Sequence, residues 1–551
     1  MKISSATLRT FTTVHTWVGL VAGFALFVAF YAGAITIFHH DLQVWQSPHG
    51  VNHQPQTLAD AQRLLDETLA RHPDARKHMG MVFPGEEYPV AASYWQDAQG
   101  QWRFATLEHL DGIDEMPGGE LSELVNALHY SLGIPVAGTY LMGIVSLLYG
   151  LALISGVIIH LPKLKEDLFA LRPGRNLKRM WQDAHNVIGV LSLPMHVMFA
   201  VTGAMLCLVL VVMMALNPLI YRGQLMQALG PAMDTAPMLA AANRAQAIGP
   251  MAMWHQRSID EARAQGLASF EPAYLKLANA GDANAVVEIT GATEGALGPL
   301  GAVALDANTG QKLATQLPGR RDANHATLAS AYALHFGEYG NHWVQWLYFL
   351  LGLGGAFLFY SGNLLWIESR RKRRQATQGR AQLWMARATV GVCIGVCVAI
   401  SAAFVATQWL QAPPLRGVDL GFGVNAACFA AWGLCMLWAA LRPPIRAAQE
   451  LLWAAAIVTA AIPLVHGIVT GAWLWTSAAA GQWALFAIDA GALAMAVGFA
   501  WLARVTARRA REGEANSVWT TGDTTSWADE SLEAAQKSLR SETSSERGSP
   551  R

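Results

Sequence analysis

Apolar runs long enough to cross a bilayer, about 20 residues each, recur eight times along the chain: Val14–Phe38, Gly138–Ile159, Val187–Leu216, Trp343–Ile367, Ala388–Leu410, Gly421–Leu441, Leu451–Trp475 and Trp483–Ala503. Between the first and second runs, and again between the third and fourth, the pattern changes. Polar positions take over from Asp41 to about Val136 and from Asn217 to about Asn341, each stretch long enough for a small domain. In the first, LADAQRLLDETLARHP has a helical period and VFPGEEYPVAASYWQDAQGQWRFATL alternates about a DAQGQ turn. The second repeats that order: SIDEARAQG reads as helix, then YLKLANAGDANAVVEITGA and GAVALDANTGQKLAT read as strands joined by Gly/Asn/Asp turns. The pattern predicts a duplicated unit of span, outer α+β module and span, followed by four further spans.

The boundaries that follow are 1–40 for the first span, 41–136 for the first module, 137–160 for the second span and 161–184 for a basic loop. The third span, second module, fourth span and second basic loop take 185–216, 217–341, 342–368 and 369–387. A four-helix membrane region covers 388–505, and a tail rich in Ser, Glu and Thr, 506–551, is expected to be disordered.

Composition supports a polytopic α-helical membrane protein: of 551 residues, 53% are hydrophobic and only 14% charged. The formal net charge of zero argues against nucleic acid as a partner. Charge placement says more than the total. Leu161–Arg179 (with Lys163, Lys165, Arg172, Arg175, Lys178 and Arg179), the SRRKRR run from Ser369, Arg442 with Arg446, and Arg504–Arg511 share one side if the spans alternate. Lys2 and Arg9 fall on that side too, and the positive-inside rule makes it cytoplasmic, with both termini inside and the two large loops outside. The first run is too long for a signal-peptide core and reads as a retained span. All five cysteines lie in predicted spans, so no disulfide framework is implied, and Cys393/Cys397 read as small apolar filler. Ala/Gly-rich faces in the last four spans suit close helix packing.

Histidines break the apolar pattern. DAHNVIGVLSLPMHVMFAVTG, Asp183 to Gly203, carries His185 and His196, eleven residues apart. On one continuous helix they share nearly the same face, about 16 Å apart along the axis. His15 opens the first span, His129 precedes the second, His160 closes it and His335 precedes the fourth. Imidazoles in a span are costly to strand and mark function by default. Neutral imidazoles on facing helices of a bundle supply the two axial ligands of a haem iron without adding charge. The rivals are another metal, for which zinc would want four ligands in a tight cluster, and structural or proton-handling histidines. His39 and His40 read as interfacial, His342 as a reserve ligand, and His466 as structural.

VHTWVGLVAGFALF, LHYSLGIPVAGTYLMG, SGVIIHLPKLKEDLFALRPG, DAHNVIGVLSLPMHVMFAVTGAM and LHFGEYGNHWVQWLYFLLGLGGAFLFYSGNLLW together resemble the PepSY-associated transmembrane proteins, which include iron-regulated inner-membrane proteins and ferric-siderophore reductases. The resemblance covers about residues 5–375, and VALDANTGQKL is the clearest PepSY-like piece of the outer modules. It implies a four-helix core holding two b-type haems, two periplasmic α+β PepSY-like modules, and a bacterial inner membrane location. His15, His129, His160, His185, His196 and His335 match the family's recurrent histidines, two more than a pair of bis-histidine haems needs. His129 with His335 is the first choice for an outer haem, since both precede spans entering from outside. His15 with His185 is the first choice for an inner one, with His160 or His196 as replacements.

The implied activity is electron transfer to ferric iron held by a periplasmic chelator such as a siderophore, releasing Fe(II). No GxGxxG follows a strand, so no built-in nucleotide or flavin site is expected and the donor must be separate, a quinol or a cytoplasmic reductase. Two other classes compete. PepSY modules could bind or regulate a periplasmic partner with the helices as anchors, or the protein could be an iron or siderophore permease.

Overall fold

The computed structural model describes residues 4–47, 56–85, 90–114, 119–163, 177–225, 228, 234–371, 378–413, 415, 417–513 and 516–520. In chain order its helices are α1 (Ser5–Thr36), α2 (His39–Gln46), α3 (Leu58–Arg71), α4 (Glu120–Ser131), α5 (Ala137–His160), α6 (Leu177–Leu191), α7 (Leu193–Leu219) and α8 (Met251–Ala264). They continue as α9 (Ala323–Phe336), α10 (His342–Ser369), α11 (Arg380–Ala388), α12 (Gly395–Gln411), α13 (Leu420–Leu441), α14 (Pro444–Thr470), α15 (Leu474–Ala479) and α16 (Trp483–Glu512). Eight are long and apolar enough to cross a membrane: α1, α5, α7, α10, the continuous stretch Arg380–Gln411, α13, α14 and α16. The protein is a multi-pass membrane protein, and each predicted apolar run overlaps one of these helices over most of its length.

Three boundaries differ from the sequence reading. The run holding His185 and His196 is two helices, because α6 ends at Leu191 and α7 starts at Leu193. Pro194 explains the break: it has no N–H to return to the preceding turn, and its ring collides with the carbonyl four residues back. The two histidines therefore do not share the face of one continuous helix. At the other end, α16 runs to Glu512, seven residues into the stretch expected to be disordered, and residues 516–520 are also placed. Finally, α14 begins at Pro444 and closes at Gly471, which takes a left-handed φ of 78°. Most of the basic stretches, at 164–176 and 372–377, and the tail from 521 lie outside the described residues.

The chain divides into two compact units: Met1–Ala32, Leu148–Leu193 and Leu353–Arg551 in one, Gly33–Leu147 and Pro194–Gly352 in the other. The second unit holds a seven-stranded antiparallel sheet in the order β3-β2-β1-β4-β5-β6-β7. Its strands are β1 (His78–Val82), β2 (Ala92–Gln96), β3 (Trp102–Ala105), β4 (Glu271–Ala278), β5 (Val286–Ala292), β6 (Leu300–Asp306) and β7 (Lys312–Gln316). Instead of two separate modules, the two polar segments share one sheet, joined where Met79 faces Leu277 and Met81 faces Leu275. Each half alone would leave β1 or β4 as an open edge, a row of unpaired backbone groups that pairing removes.

One face of the sheet buries Met79, Met81, Trp95, Leu275, Ile289 and Val303 against Leu64 and Leu65 of α3 and Trp254 of α8. Thr57 and Asp60 start α3 with a reciprocal capping box. Gln62 of α3 accepts the Met251 N–H of α8 at 2.7 Å, so the two helices are tied to each other as well as to the sheet.

In the first unit, the last four spans pack through small residues. A Cβ on Gly395 would stand 2.9 Å from the Cβ of Cys435, so this glycine sets how closely α12 and α13 approach. Ser401 and Thr459 share a buried hydrogen bond of 2.7 Å between α12 and α14. His466 of α14 and Asp489 of α16 meet at 2.8 Å, both essentially inaccessible. Thr389–Ile394, between α11 and α12, is a π-helical turn.

Candidate functional site

His15 and His185 form a pair within the first unit, their ring centroids 6.1 Å apart and their planes at 80°. Each is held at Nδ1 by a different helix. His15 donates to the Ala152 carbonyl of α5 at 2.9 Å, and His185 donates to the Leu358 carbonyl of α10 at 3.0 Å. Ser155 and Ser361 reinforce these bonds, each with its oxygen 3.3 Å from the same Nδ1. Both hydroxyls give their own hydrogens to carbonyls on their helices, so toward the imidazoles they accept. Next in sequence come Gly156 and Gly362, where an added Cβ would stand 3.2 and 3.4 Å from Cε1 of His15 and His185. A serine that orients the ring and a glycine that makes room for it recur on both sides.

His129 and His335 form the second pair, in the other unit, with centroids 5.9 Å apart and planes at 45°. They lie in the last turns of α4 and α9, which close on the left-handed residues Leu132 and Gly337. Thr202 of α7 approaches Nδ1 of His335 at 2.8 Å. Its hydroxyl hydrogen goes to the Met198 carbonyl at 2.7 Å, which leaves the oxygen to accept from the imidazole. Phe199 meets the edge of the same ring at a centroid distance of 5.6 Å. His129 packs on Gly33 so closely that a Cβ there would stand 2.6 Å from its Nδ1.

The two pairs obey one internal rule of spacing. His15 precedes Gly33 by 18 residues and His185 precedes Gly203 by the same 18; His129 precedes Gly156 by 27 residues and His335 precedes Gly362 by 27. The surrounding words match as well: HTWVG with HNVIG, ALHY with ALHF, and ISG with YSG. This repeat was present in the sequence but hidden by loops of different length between its parts. A model of the PepSY-associated TM region matches residues 12–369, a span that takes in every one of these positions.

The chain belongs to the PepSY-associated TM family. A relative in Pseudomonas aeruginosa (strain PAO1), itself an uncharacterized protein, is 28% identical over 311 residues, covering 54% of this chain and 74% of the relative. The PepSY-associated region ends at Ser369, so the last four spans lie beyond the part that the family model describes.

Within the PepSY-associated region the remaining histidines stand apart from the repeat. His196 is buried in α7, and the position 18-residue spacing assigns to it in the first half is Leu26. His160 closes α5, and its counterpart after Ser361–Gly362 is Trp366. His39 approaches Gln43 at 3.1 Å and Glu123 at 3.6 Å, and His342 is exposed at the start of α10, bonded to Gln345. His466, outside the region, has its Asp489 partner, a contact that the sequence reading did not assign.

Chemically, a pair of imidazoles fits one kind of centre better than another. Among the described residues no group of three or more His, Cys, Asp or Glu side chains is placed to hold a metal ion, which leaves nothing resembling a tetrahedral zinc site. Two imidazoles on opposite sides of one metal, each about 2 Å from it, have centroids roughly 6 Å apart, and both pairs match that spacing. The bonds at Nδ1 of His15, His185 and His335 fix the tautomer in which Nε2 carries the lone pair, the arrangement that metal-binding histidines use.

Proposed function

We propose that this protein is a di-haem electron-transfer oxidoreductase of the bacterial inner membrane, passing electrons to ferric iron in a periplasmic chelate such as a siderophore. The observation that carries the reading is the repeated pairing: two imidazole pairs at haem-compatible spacing, placed by one internal rule of sequence. His15 with His185 and His129 with His335 would hold the two irons, and a haem so ligated supplies reversible one-electron chemistry inside the membrane.

The side chains around each pair have defined tasks. Ala152, Leu358 and Thr202 hold the rings in one orientation by accepting from Nδ1, which also raises the basicity of Nε2. Gly33 and Gly156 keep helix surface flat where a ring must approach closely. Keeping all four ligands neutral avoids placing charge in hydrocarbon. Fe(III) in its chelate is the substrate, and the extramembrane sheet belongs on the periplasmic side, where it is met.

Absorbance of the purified protein tests the reading directly. A Soret band with two haems per chain, bleaching of the reduced bands on addition of a ferric siderophore, and release of Fe(II) to a ferrous chelator are the expected results. Colourless protein from cells amply supplied with haem would sink the proposal and leave a partner-binding role for the extramembrane domain.

A further inference from the structure

The first unit holds a half-open cavity of about 650 Å³, well within the range of small-molecule sites. One wall follows α16, with Met495, Phe499, Leu502 and Val505 and then Thr506, Arg508 and Arg509. The rest of the lining includes Phe27 of α1 and Phe357 of α10, from the PepSY-associated region, and Ala448 of α14, from the last four spans. Nothing in the imidazole pairs uses it.

The α16 wall has the dimensions of one leaflet. From Met495 to Val505 the helix rises about 15 Å, which is half of a hydrocarbon core about 30 Å thick. Leu502 and Val505 line the cavity and are still 37% and 41% exposed, so it opens on the side of the span, where hydrocarbon surrounds the protein. Where the apolar face stops, Thr506, Arg508 and Arg509 take over. Glu512 is the acid of the lining, one against Arg504, Arg508, Arg509 and Arg511 in the same final turns, so this end is cationic.

We propose that this cavity binds one phospholipid with a net negative headgroup, an acyl chain lying along Met495–Val505 and the phosphate meeting Arg508 and Arg509. Basic pockets between membrane helices hold anionic headgroups in this way, and by the positive-inside rule the arginines mark the cytoplasmic leaflet. A neutral lipid-soluble molecule would leave both guanidinium groups unused. A water-soluble anion would meet apolar side chains over most of the cavity. A zwitterionic headgroup would carry its ammonium into the cationic end, with Glu512 alone to receive it. The lipid so held touches α1 and α10 on one side and α14 and α16 on the other, and joins the PepSY-associated region to the spans beyond it.

Lipid counting by native mass spectrometry tests the site. The full-length protein in a neutral detergent is titrated with phosphatidylglycerol or with phosphatidylethanolamine of the same acyl chains. One phosphatidylglycerol per chain should bind ahead of all others, about tenfold or more tighter than phosphatidylethanolamine. Arg508→Gln should weaken it about fivefold, the worth of one arginine at an anionic headgroup. Arg511→Gln, the same charge change on a residue outside the lining, should leave it unchanged. Val505→Trp, at an exposed position on the cavity wall, should remove the tight lipid without lowering the unfolding midpoint of the lipid-free protein. Equal affinity for the two lipids, equal losses from Arg508→Gln and Arg511→Gln, a tight lipid that survives Val505→Trp, or its displacement by a short-chain ubiquinone overturns the site. The inference does not rest on the electron-transfer reading, and the same lipid count is expected from haem-free protein.

Discussion

His15 donates its Nδ1–H to the carbonyl oxygen of Ala152 at 2.9 Å, linking the first membrane helix to the second. His185 makes the matching bond to Leu358 at 3.0 Å, linking the sixth helix to the tenth. A single hydrogen bond thus fixes tautomer and ring orientation at each position, and both depend on a helix far away in sequence.

Paired ligands should fail in pairs. His15→Ala and His185→Ala are expected to lose the same haem, and His129→Ala and His335→Ala the other, each leaving about one haem per chain. Haem content with low-temperature spectra of the four variants distinguishes this from loss of different haems within a pair, which would break the assignment. His160→Ala and His196→Ala should retain both.

The glycines predict a graded series. An alanine at position 33 puts its Cβ 2.6 Å from Nδ1 of His129, one at 156 stands 3.2 Å from His15, and one at 203 only 4.0 Å from His335. Haem occupancy should therefore fall most for Gly33→Ala, less for Gly156→Ala and least for Gly203→Ala. Alanine is about 1 kcal/mol better than glycine inside a helix, so lost helicity cannot account for that order. Haem-to-protein ratios in the reverse order would refute it.

A single sheet predicts a covalent bridge between the two polar segments. Met79 and Leu277 are directly opposite on β1 and β4, where Cα atoms lie about 4.5–5.5 Å apart, inside the range a disulfide spans. Oxidised Met79→Cys/Leu277→Cys protein, nicked by protease between the segments, should migrate as one species until reduced. Separation before reduction would show that the two segments do not share the sheet.

In the last four spans, Asp489→Leu leaves His466 without its 2.8 Å partner in a fully buried position. A loss of about 1–3 kcal/mol is expected, against a smaller loss for Asp489→Asn, which keeps a hydrogen-bonding oxygen. Thermal unfolding in detergent at fixed protein concentration reads the difference, and equal midpoints for the two variants would argue that the bond contributes nothing.

Acid should release one edge of the extramembrane domain. Backbone N–H groups of Asn284, and then of Ala242 and Arg244, hold the Asp282 carboxyl below the ordinary aspartate range. A depressed carboxyl stabilises the fold above its unfolded value, about 3.9, and that contribution disappears as pH falls through the folded value. Hydrogen exchange across residues 240–246 should accelerate below about pH 4 in the wild type and show a weaker pH dependence in Asp282→Asn. Unchanged protection down to pH 2.5 would contradict it.

Hydropathy by itself determined the eight spans and the two polar interruptions, because a helix in hydrocarbon must satisfy its backbone internally and be apolar throughout. The unusual residues in those spans, above all the histidines, were legible for the same reason: medium and side chain disagree. Six of the seven strands were legible too, through alternation and turn residues around DAQGQ and DANTG, but β1 (His78–Val82), which joins the two halves of the sheet, was not.

Both histidine pairs were already the first choices in the sequence, among six candidates, but their geometry was not legible, since it depends on contacts between residues far apart in the chain. Only the tertiary structure shows that the rings of His15 and His185 stand 6.1 Å apart and those of His129 and His335 5.9 Å, that β1 pairs with β4, and that Pro194 ends the helix carrying His185. Local pattern states which face of an element is apolar; packing and hydrogen bonding between elements decide what that face meets. The clearest case is Trp519, an ordinary aromatic in a polar tail by sequence, which the fold buries beside a cavity lined by helices on both sides of the family boundary.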